Sequence, residues 1–309
     1  MIQDRPVIAD RKEKMETHPP HLEPSELVRA TSWESFYGNS LEYLSSSNRR
    51  RNPANSNDDA NESDEEDDSD PGTSWFTEHN APQKVLDFLT SYKFPLAPVN
   101  QPSPTSILDL GTGNGSMLSL LREEGGFAGP MVGVDYSPKS IELARRLCAH
   151  TAGEEIRFEV WDIFNATPER IEWFPREQSG FDIVLDKGTF DAVSLSGEVV
   201  EAEGAEGPGG QEGIRTRQMS KRRICEKYPA EVLKLVRRGG FFVITSCNWT
   251  ETELIEWFTR KHGNPETGEG VDDDGFIVWD RIAYRKYIFG GQEGQGVCTI
   301  CFRRKERDE

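Results

Sequence analysis

Short apolar runs alternate with amphipathic segments through most of the chain after residue 103, and this alternation predicts an α/β fold. SILDLG, MVGVDY, FEVWDI, FDIVLD and FFVITSC have the length and composition of buried strands. Segments between them, such as SMLSLLREEG and SPKSIELARRLCAH, carry apolar residues at helical spacing, and Ser137 with Pro138 marks the start of the second. Because strands that alternate with helices pair in parallel, we expect an open, doubly wound sheet.

The carboxyl-terminal part continues this pattern with two helices and two strands. RQMSKRRICEKYPAEVLKLVRRGG is predicted to be one helix that ends at Gly239 and Gly240, and ETELIEWFTRKH is predicted to be another. FIVWDRIAY and VCTICFRR are predicted strands, joined by the looping segment FGGQEGQG. Because these two strands are close in sequence, we expect them to add an antiparallel edge to a mostly parallel sheet.

Polar stretches set the predicted domain boundaries. Residues 1–30 are predicted to be disordered, and residues 31–44 to form a helix that packs on the core. Residues 45–72 are rich in Ser, Asn, Asp and Glu, and so few apolar residues cannot offset the entropy of ordering, which predicts an acidic disordered insert. The catalytic domain is expected to span 73–309, with a flexible Gly/Glu-rich insert at 197–213.

Charge changes this picture by excluding some partners. The 309 residues include 36 Lys and Arg and 54 Asp and Glu, a net charge of −18, and nine of the carboxylates lie between Asp58 and Asp70. The rest of the chain has no broad basic stripe, which argues against nucleic acid as the main partner and fits a basic protein better.

The sequence shows no targeting signal and no disulfide pattern, and both observations predict a cytoplasmic protein. No run approaches the ~18 apolar residues that span a bilayer, and the amino terminus lacks the apolar core of a signal peptide. Five scattered cysteines, an odd number, are typical of reduced thiols. Cys298 and Cys301 have the spacing of half a zinc knuckle, but no second pair or histidine follows, so no metal site is predicted.

The strongest candidate for chemistry is the turn DLGTGNG, which lies directly between a predicted strand and a predicted helix. Gly111, Gly113 and Gly115 let the backbone turn tightly and approach a nucleotide without a Cβ clash. A dinucleotide fingerprint would have its third glycine at position 116, which is Ser116 here. Asp109, two residues before the first glycine, instead suits the amino group of S-adenosylmethionine, so the spacing favours that cofactor.

Acids also end the second and third strands. Asp135 can accept both ribose hydroxyls of a nucleotide, and the adjacent Tyr136 can cover the cofactor. Asp162 can accept the adenine amino group, with Ile163 offering a backbone contact. For any one acid, the alternative is a simple N-cap or turn former. Three acids in register along successive strand ends favour a cofactor site.

The segments after the fourth and fifth strands supply acids, an amide and aromatic rings at the same edge of the sheet. This composition suits a cationic amine held beside the cofactor. The residues concerned are Asp186, Lys187, Thr189, Phe190, Asp191, Asn248 and Trp249. The alternative reading is that Trp249 packs on a helix capped by Thr250.

The motifs ILDLGTGNG, GVDYSP, VLDKGTFDAVSL and GGFFVITSCNWT together resemble the lysine methyltransferases that modify translation elongation factor 1A. The resemblance spans about residues 75–302 apart from the Gly/Glu-rich insert, and residues 33–44 resemble the amino-terminal helix of that family. It implies a Rossmann-like, seven-stranded sheet, mostly parallel with an antiparallel edge strand. It also implies methyl transfer from S-adenosylmethionine to a lysine ε-amine of the elongation factor in the cytoplasm.

Residue patterns and resemblance together give the candidate site. Catalytic roles are assigned to Asp186, Asp191, Asn248 and Trp249. Substrate contact is assigned to Lys187, Thr189 and Phe190. Cofactor binding is assigned to Asp109, Gly111, Thr112, Gly113, Gly115, Asp135, Tyr136, Asp162, Ile163 and Asp186.

Two alternative functions stay open on sequence grounds. One is a small-molecule or RNA methyltransferase, although a base-directed enzyme more often has an NPPY-like or DPPY-like motif where this chain has DKGTF. The other is a non-catalytic adaptor that keeps the cofactor fold. A membrane or nucleic-acid partner is not expected, and a monomer is favoured.

Overall fold

A seven-stranded sheet forms the centre of the protein in a computed structural model. The structure describes residues 18–25, 30–50, 76, 79–101, 103–149, 151, 155–165, 167–202, 220–260, 274–289 and 292–306. The helices are α1 (Ala30–Arg50), α2 (Ala81–Thr90), α3 (Ser116–Glu123), α4 (Pro138–Leu147), α5 (Thr189–Leu195), α6 (Tyr228–Leu235) and α7 (Glu251–Thr259). The strands are β1 (Ile107–Leu110), β2 (Met131–Asp135), β3 (Arg157–Val160), β4 (Phe181–Lys187), β5 (Val199–Ala202), β6 (Ser220–Arg223), β7 (Val236–Ser246), β8 (Phe276–Ile282), β9 (Lys286–Phe289), β10 (Gln292–Gln295) and β11 (Cys298–Arg304).

The strand order β3-β2-β1-β4-β7-β11-β8 confirms the predicted doubly wound, mostly parallel sheet. The pairs from β3 through to β7 are parallel, whereas β11 runs antiparallel to both of its neighbours. The antiparallel strand therefore lies one position inside the edge, and β8 is the outermost strand. The order reverses at β1, which places a topological switch point at the carboxyl end of this strand.

Two apolar layers hold the sheet between the helices. Every residue of β1 and β2 is buried, as expected for parallel strands covered on both faces. Ile107 points into a cluster with Leu89 and Leu118 on one face, whereas the next residue, Leu108, joins a cluster with Tyr228 on the other. This alternation fixes which residues of each strand end face the site.

The predicted helix at 217–240 is wrong in extent. The segment instead forms β6, a 3-10 turn at Ile224–Lys227 and the short helix α6, after which β7 begins at Val236. Pro229 lies in the first turn of α6, where its missing N–H costs nothing; within a longer helix it would break the hydrogen bonding. Gly239 has a φ of +70° and lies inside β7, where it does not end a helix.

Both predicted loops contain short strands. The FGGQEGQG segment contributes to a hairpin in which β10 pairs antiparallel with β9. The predicted insert at 197–213 contains β5, which pairs with β6 from beyond the insert. Residues 203–219, between the two strands, lie outside the described residues. The predicted disorder at 1–30 and 45–72 falls largely on residues 1–17, 26–29 and 51–72, which also lie outside the described residues.

The amino-terminal helix is longer than predicted. α1 runs to Arg50, beyond the predicted end at residue 44. Within this extension the hydroxyls of Ser45 and Ser46 donate to the carbonyls of Leu41 and Glu42. α1 packs against α4, with Tyr37 and Ser40 buried at the contact. Among the described residues, no helix is both long and apolar enough to cross a membrane.

Candidate active site

A cleft of about 310 Å³ lies at the carboxyl ends of β1 to β4, beside the switch point. This volume is at the lower end of the range of about 300–1,000 Å³ usual for small-molecule sites. Of the predicted site residues, the cleft is lined by Gly111, Asp135, Tyr136, Asp162, Ile163 and Thr189. The other residues that line it include Trp33, Trp161, Phe164, Asn165, Ser196 and Tyr228.

The glycine turn is packed too tightly for side chains. Gly111 has a φ of +58°, and a Cβ added there would lie 2.2 Å from the hydroxyl oxygen of Thr189. At Gly115 the φ is +79°, and a Cβ would lie 2.7 Å from the ring of Phe158. Tyr37 of α1 covers Gly113 from outside, with its hydroxyl 3.1 Å from the position of a Cβ. The turn therefore needs glycine both for its backbone conformation and for space.

Asp135 holds the glycine turn against the end of β2. Its carboxylate accepts from the backbone N–H of Gly113 at 3.2 Å, the N–H of Ser137 at 2.9 Å and the hydroxyl of Ser140 at 2.7 Å. Burial raises the pKa of Asp135, and these three donors oppose the rise. Because Asp135 also lines the cleft, one carboxylate both shapes the turn and borders the space that a ligand would occupy.

Asp109 lies beneath the turn and does not line the cleft. It is 2% exposed, and its Oδ2 accepts from the hydroxyl of Thr112 at 2.8 Å, while the Thr112 N–H donates to the carbonyl of Val134. Burial raises the pKa of Asp109 to about 6, against the hydrogen bond from Thr112 and the charge of Lys187. In this arrangement Asp109 and Thr112 brace the turn from below.

Asp162 follows β3 and forms a local turn. Its Oδ1 accepts from the N–H of Phe164 at 2.9 Å, and its Oδ2 accepts from the side-chain amide of Asn165 at 2.6 Å. The turn-former alternative raised by its position therefore holds. Asp162 and Ile163 nevertheless line the cleft, and a carboxylate oxygen can accept more than one hydrogen bond. Turn formation leaves capacity for a donor from a ligand.

Asp186 acts on the cleft through its neighbours. It is 1% exposed, and its carboxylate accepts from the N–H groups of Thr189 at 2.8 Å and Phe190 at 3.1 Å, and from the Tyr228 hydroxyl at 2.6 Å. Thr189 in turn donates from its hydroxyl to the carbonyl of Leu110. Burial raises the pKa of Asp186 to about 7, although the Tyr228 hydrogen bond opposes the rise. Its predicted direct contact with the cofactor is not supported by this placement.

Asp186 gives rise to a pH dependence of stability. Its pKa rises from an ordinary 3.8 to about 7 in the folded protein, so the folded state binds more protons between these values. The stabilising contribution is complete below pH 3.8 and is lost as the pH rises toward about 7. We therefore expect the free energy of unfolding of the wild type, relative to Asp186→Asn, to fall across this interval in urea titrations. A difference that is flat or rises with pH would contradict this expectation.

Asp191 ties α5 to the segment that follows β7. Its carboxylate accepts from the Ser246 hydroxyl at 2.5 Å and from the Cys247 N–H at 2.9 Å, and burial raises its pKa. Asn248 is exposed beside it. Half-buried Lys187 has its Nζ 5.9 Å from the ring centroid of Phe76, and burial lowers its pKa. None of these three lines the cleft.

The structure places Phe190 and Trp249 in the core, which does not support their predicted contact with substrate. Phe190 is fully buried, with its ring centroid 5.9 Å from that of Trp249 and 5.1 Å from that of Phe258. The Trp249 Nε1–H donates to the hydroxyl of Ser194 at 3.2 Å. The packing alternative therefore describes Trp249, and Thr250 caps α7 as expected.

Truncation of Phe190 tests its core role. We expect Phe190→Ala to lower the free energy of unfolding by about 3–5 kcal/mol, because the buried ring leaves a cavity. Tyr92, which is 76% exposed, is the matched control. Tyr92→Ala should change the free energy of unfolding by less than about 0.5 kcal/mol. Urea denaturation measures both variants. A Phe190→Ala protein of wild-type stability that lost activity would instead indicate substrate contact.

Sequence reasoning missed the aromatic wall of the cleft. Trp33 comes from α1, Trp161 and Phe164 flank the strand end at Asp162, and Tyr228 begins α6. The aromatic residues around Asp162 were visible as a local pattern. Tyr228 carried no signal, because its bond to Asp186 joins residues far apart in the chain.

The cleft, its glycine turn and the acids at its strand ends occur in a chain that matches a family model described as a methyltransferase domain over residues 102–281. The protein is therefore a methyltransferase. Protein-lysine N-methyltransferase EFM4 of Saccharomyces cerevisiae is 31% identical over 282 residues, which cover 91% of this chain and 96% of the yeast protein. EEF1A lysine methyltransferase 2 of Homo sapiens is 31% identical, with 76% of this chain and 77% of the human protein covered. The chain belongs to the protein-lysine methyltransferase family of these two proteins, which confirms the predicted resemblance.

Solved structures include a more distant likeness. The plantazolicin methyltransferase BpumL in complex with SAH has a TM-score of 0.43 and 13% identity, and the match covers 90% of this chain and 97% of that one.

Proposed function

We propose that this protein transfers the methyl group of S-adenosylmethionine to the ε-amine of a lysine on translation elongation factor 1A. The observation that carries the proposal is the cleft at the switch point, where Gly111, Asp135 and Asp162 converge in a chain of the lysine methyltransferase family. The substrate is supported by the human relative, whose name is EEF1A lysine methyltransferase 2.

The residues of the cleft fit the proposed cofactor. A side chain at Gly111 would fill the space beside Thr189, so this glycine keeps the floor of the cleft open. Asp135 and Asp162 offer carboxylate oxygens to the ribose hydroxyls and the adenine amino group, and the rings of Trp161 and Phe164 offer apolar surface to the base. When bound, S-adenosylmethionine supplies a methyl group activated by its sulfonium sulfur.

The protein's main task is to deliver a neutral amine in line with that methyl group. A lysine with a pKa near 10.4 loses its proton at pH 7 at a cost of about 4.6 kcal/mol. Burial of the amine in the cleft lowers this cost because desolvation disfavours the charged form. Closure of the cleft by α1, through Trp33, would exclude water from the amine.

Tyr228 supports the wall of the cleft from the core. The residue is fully buried, and its hydroxyl donates to Oδ2 of Asp186 at 2.6 Å. This bond ties the start of α6 to the end of β4 beside the cleft. Asp186 is in this proposal a positioning residue, because it fixes both Tyr228 and Thr189.

The wider features are consistent with a protein substrate. The net charge of −18 favours association with a basic surface through long-range attraction. All five cysteines are free thiols, which supports the cytoplasmic location that we propose. We propose residues 73–309 as the catalytic domain and a monomer as the working form.

The test is a labelled-methyl assay with the full-length protein and three acceptors: purified elongation factor 1A, total RNA and free lysine. We expect label in the elongation factor alone. Label in RNA or in free lysine, with none in the protein, would establish one of the alternative methyltransferase functions. Retained cofactor binding without transfer to any acceptor would support the non-catalytic adaptor.

A further inference from the structure

Two histidines of the amino-terminal segment at 18–25 lie against a glutamate from the turn before α6, outside the residues that line the cleft. His18 Nε2 is 3.7 Å from Oε2 of Glu226, and His21 Nε2 is 3.3 Å from Oε1. The three candidate ligand atoms all lie within 4.8 Å of one another. Two imidazoles and a carboxylate that converge on one point are a donor set typical of zinc.

The hydrogen bonding of His18 prepares one of these nitrogens for a metal. His18 Nδ1 lies 2.8 Å from the carbonyl oxygen of Pro19, which can only accept, so Nδ1 carries a proton. In neutral His18 the Nε2 lone pair then faces the carboxylate of Glu226. Metal-bound histidines usually donate their other N–H to a carbonyl or carboxylate in this way. A cation between Nε2 and the carboxylate would satisfy both acceptors.

Ring packing restricts the positions of both imidazoles. The His18 ring stacks on Trp257 with centroids 5.0 Å apart and an interplanar angle of 7°, and His21 stacks on His18 at 4.4 Å. Trp257, a residue of α7, is buried in the apolar core on one face of the sheet. Rings held in this way lose little further freedom when they bind a metal, which favours affinity.

Contacts other than the proposed ligands already hold this segment in place. The Arg223 guanidinium donates to the carbonyl of Leu22 at 2.5 Å, and the Ser25 N–H donates to the carbonyl of Leu195 at 3.0 Å. Glu226 is itself fixed, because its Oε1 accepts from the N–H of Arg223 at 2.9 Å. The site is therefore formed by the fold before any metal binds.

We propose that His18, His21 and Glu226 form a zinc site that staples residues 18–25 to the turn before α6. The three protein ligands leave one position of a tetrahedron for water. Tyr228, which lines the cleft, begins the helix directly after this turn, so the staple would steady that side of the cleft. This inference does not depend on the identity of the methyl acceptor.

Zinc binding by the full-length protein tests the proposal. After chelator treatment and desalting, calorimetry near neutral pH should give one zinc ion per chain. Glu226→Gln, whose amide oxygen can keep the bond from the Arg223 N–H, should weaken binding about 10-fold or more, and His18→Ala with His21→Ala should abolish it. The matched control is His79→Ala, which removes a histidine outside the cluster and should bind as the wild type does.

Cobalt substitution identifies the ligand type, because the five cysteines are possible competitors. We expect a cobalt spectrum without a thiolate charge-transfer band, and protection of residues 18–25 from hydrogen exchange that increases with zinc in the wild type alone. Circular dichroism checks that each variant is folded. Three results would each overturn the proposal: no zinc binding by the wild type, a thiolate band in the cobalt spectrum, or wild-type zinc affinity in the histidine and glutamate variants.

Discussion

Replacement of Gly111 by valine is expected to weaken S-adenosylmethionine binding by about 100-fold or more, measured by calorimetry. A β-branched residue at a φ of +58° is strained, and its Cβ would displace the Thr189 hydroxyl, 2.2 Å away, into or out of the cleft. Overpacking costs about 1–3 kcal/mol, which the turn relieves by leaving its binding conformation, and each 1.4 kcal/mol of that difference is a factor of ten in affinity.

Gly126 offers a matched control for backbone strain. Its φ is +70°, and a Cβ there would meet nothing within 4 Å. Gly126→Val should therefore lose some stability yet keep wild-type affinity for the cofactor. Equal affinity in the two valine variants would contradict the assignment of Gly111 to the floor of the cofactor site.

Removal of the Asp135 carboxylate should have the second large effect. Asp135→Ala leaves the N–H groups of Gly113 and Ser137 without an acceptor, whereas the Ser140 hydroxyl can still donate to the Gly113 carbonyl at 2.8 Å. Each unsatisfied group costs about 1–3 kcal/mol, so we expect a loss of at least about 2 kcal/mol in the free energy of unfolding. Affinity for the cofactor should fall about 100-fold or more, because the glycine turn loses its anchor and the cleft loses its ribose acceptor.

The control for Asp135→Ala is Asp87→Ala, since Asp87 is exposed on α2. We expect this change to stay within about 0.5 kcal/mol in urea denaturation and to leave cofactor affinity unaltered. Asp135→Asn separates the two roles, because its amide oxygen can still accept part of the hydrogen bonding. Wild-type cofactor affinity in Asp135→Ala at a temperature where it is folded would contradict a ribose contact.

Sequence patterns predicted the site most accurately where it is built from single strand ends. The glycine turn follows β1 directly, Asp135 ends the apolar run of β2, and Asp162 lies two residues after β3. Parallel pairing then brings these ends together without any further information. For the same reason, the parallel direction of the central strands could be expected from their alternation with helices.

Sequence reasoning failed where a role depends on contacts between distant segments. The motif DKGTFDA suggested a substrate site, yet Asp186 is buried against Tyr228 and Phe190 lies in the core. Acidic and aromatic residues occur both in active sites and in buried structural networks. Only the packing of the folded chain shows which role a given residue has. His18 meets Glu226 across most of the chain, so no local spacing could have indicated that pair.

Mass spectrometry of elongation factor 1A after incubation with the enzyme and S-adenosylmethionine tests the central claim most directly. The proposed function predicts added methyl groups on a lysine side chain, located by fragmentation of one peptide, and none when Gly111→Val replaces the wild type. Gly126→Val should methylate the same lysine. An elongation factor whose peptides all stay unmodified, under conditions where the wild-type enzyme binds its cofactor, would contradict the proposed function.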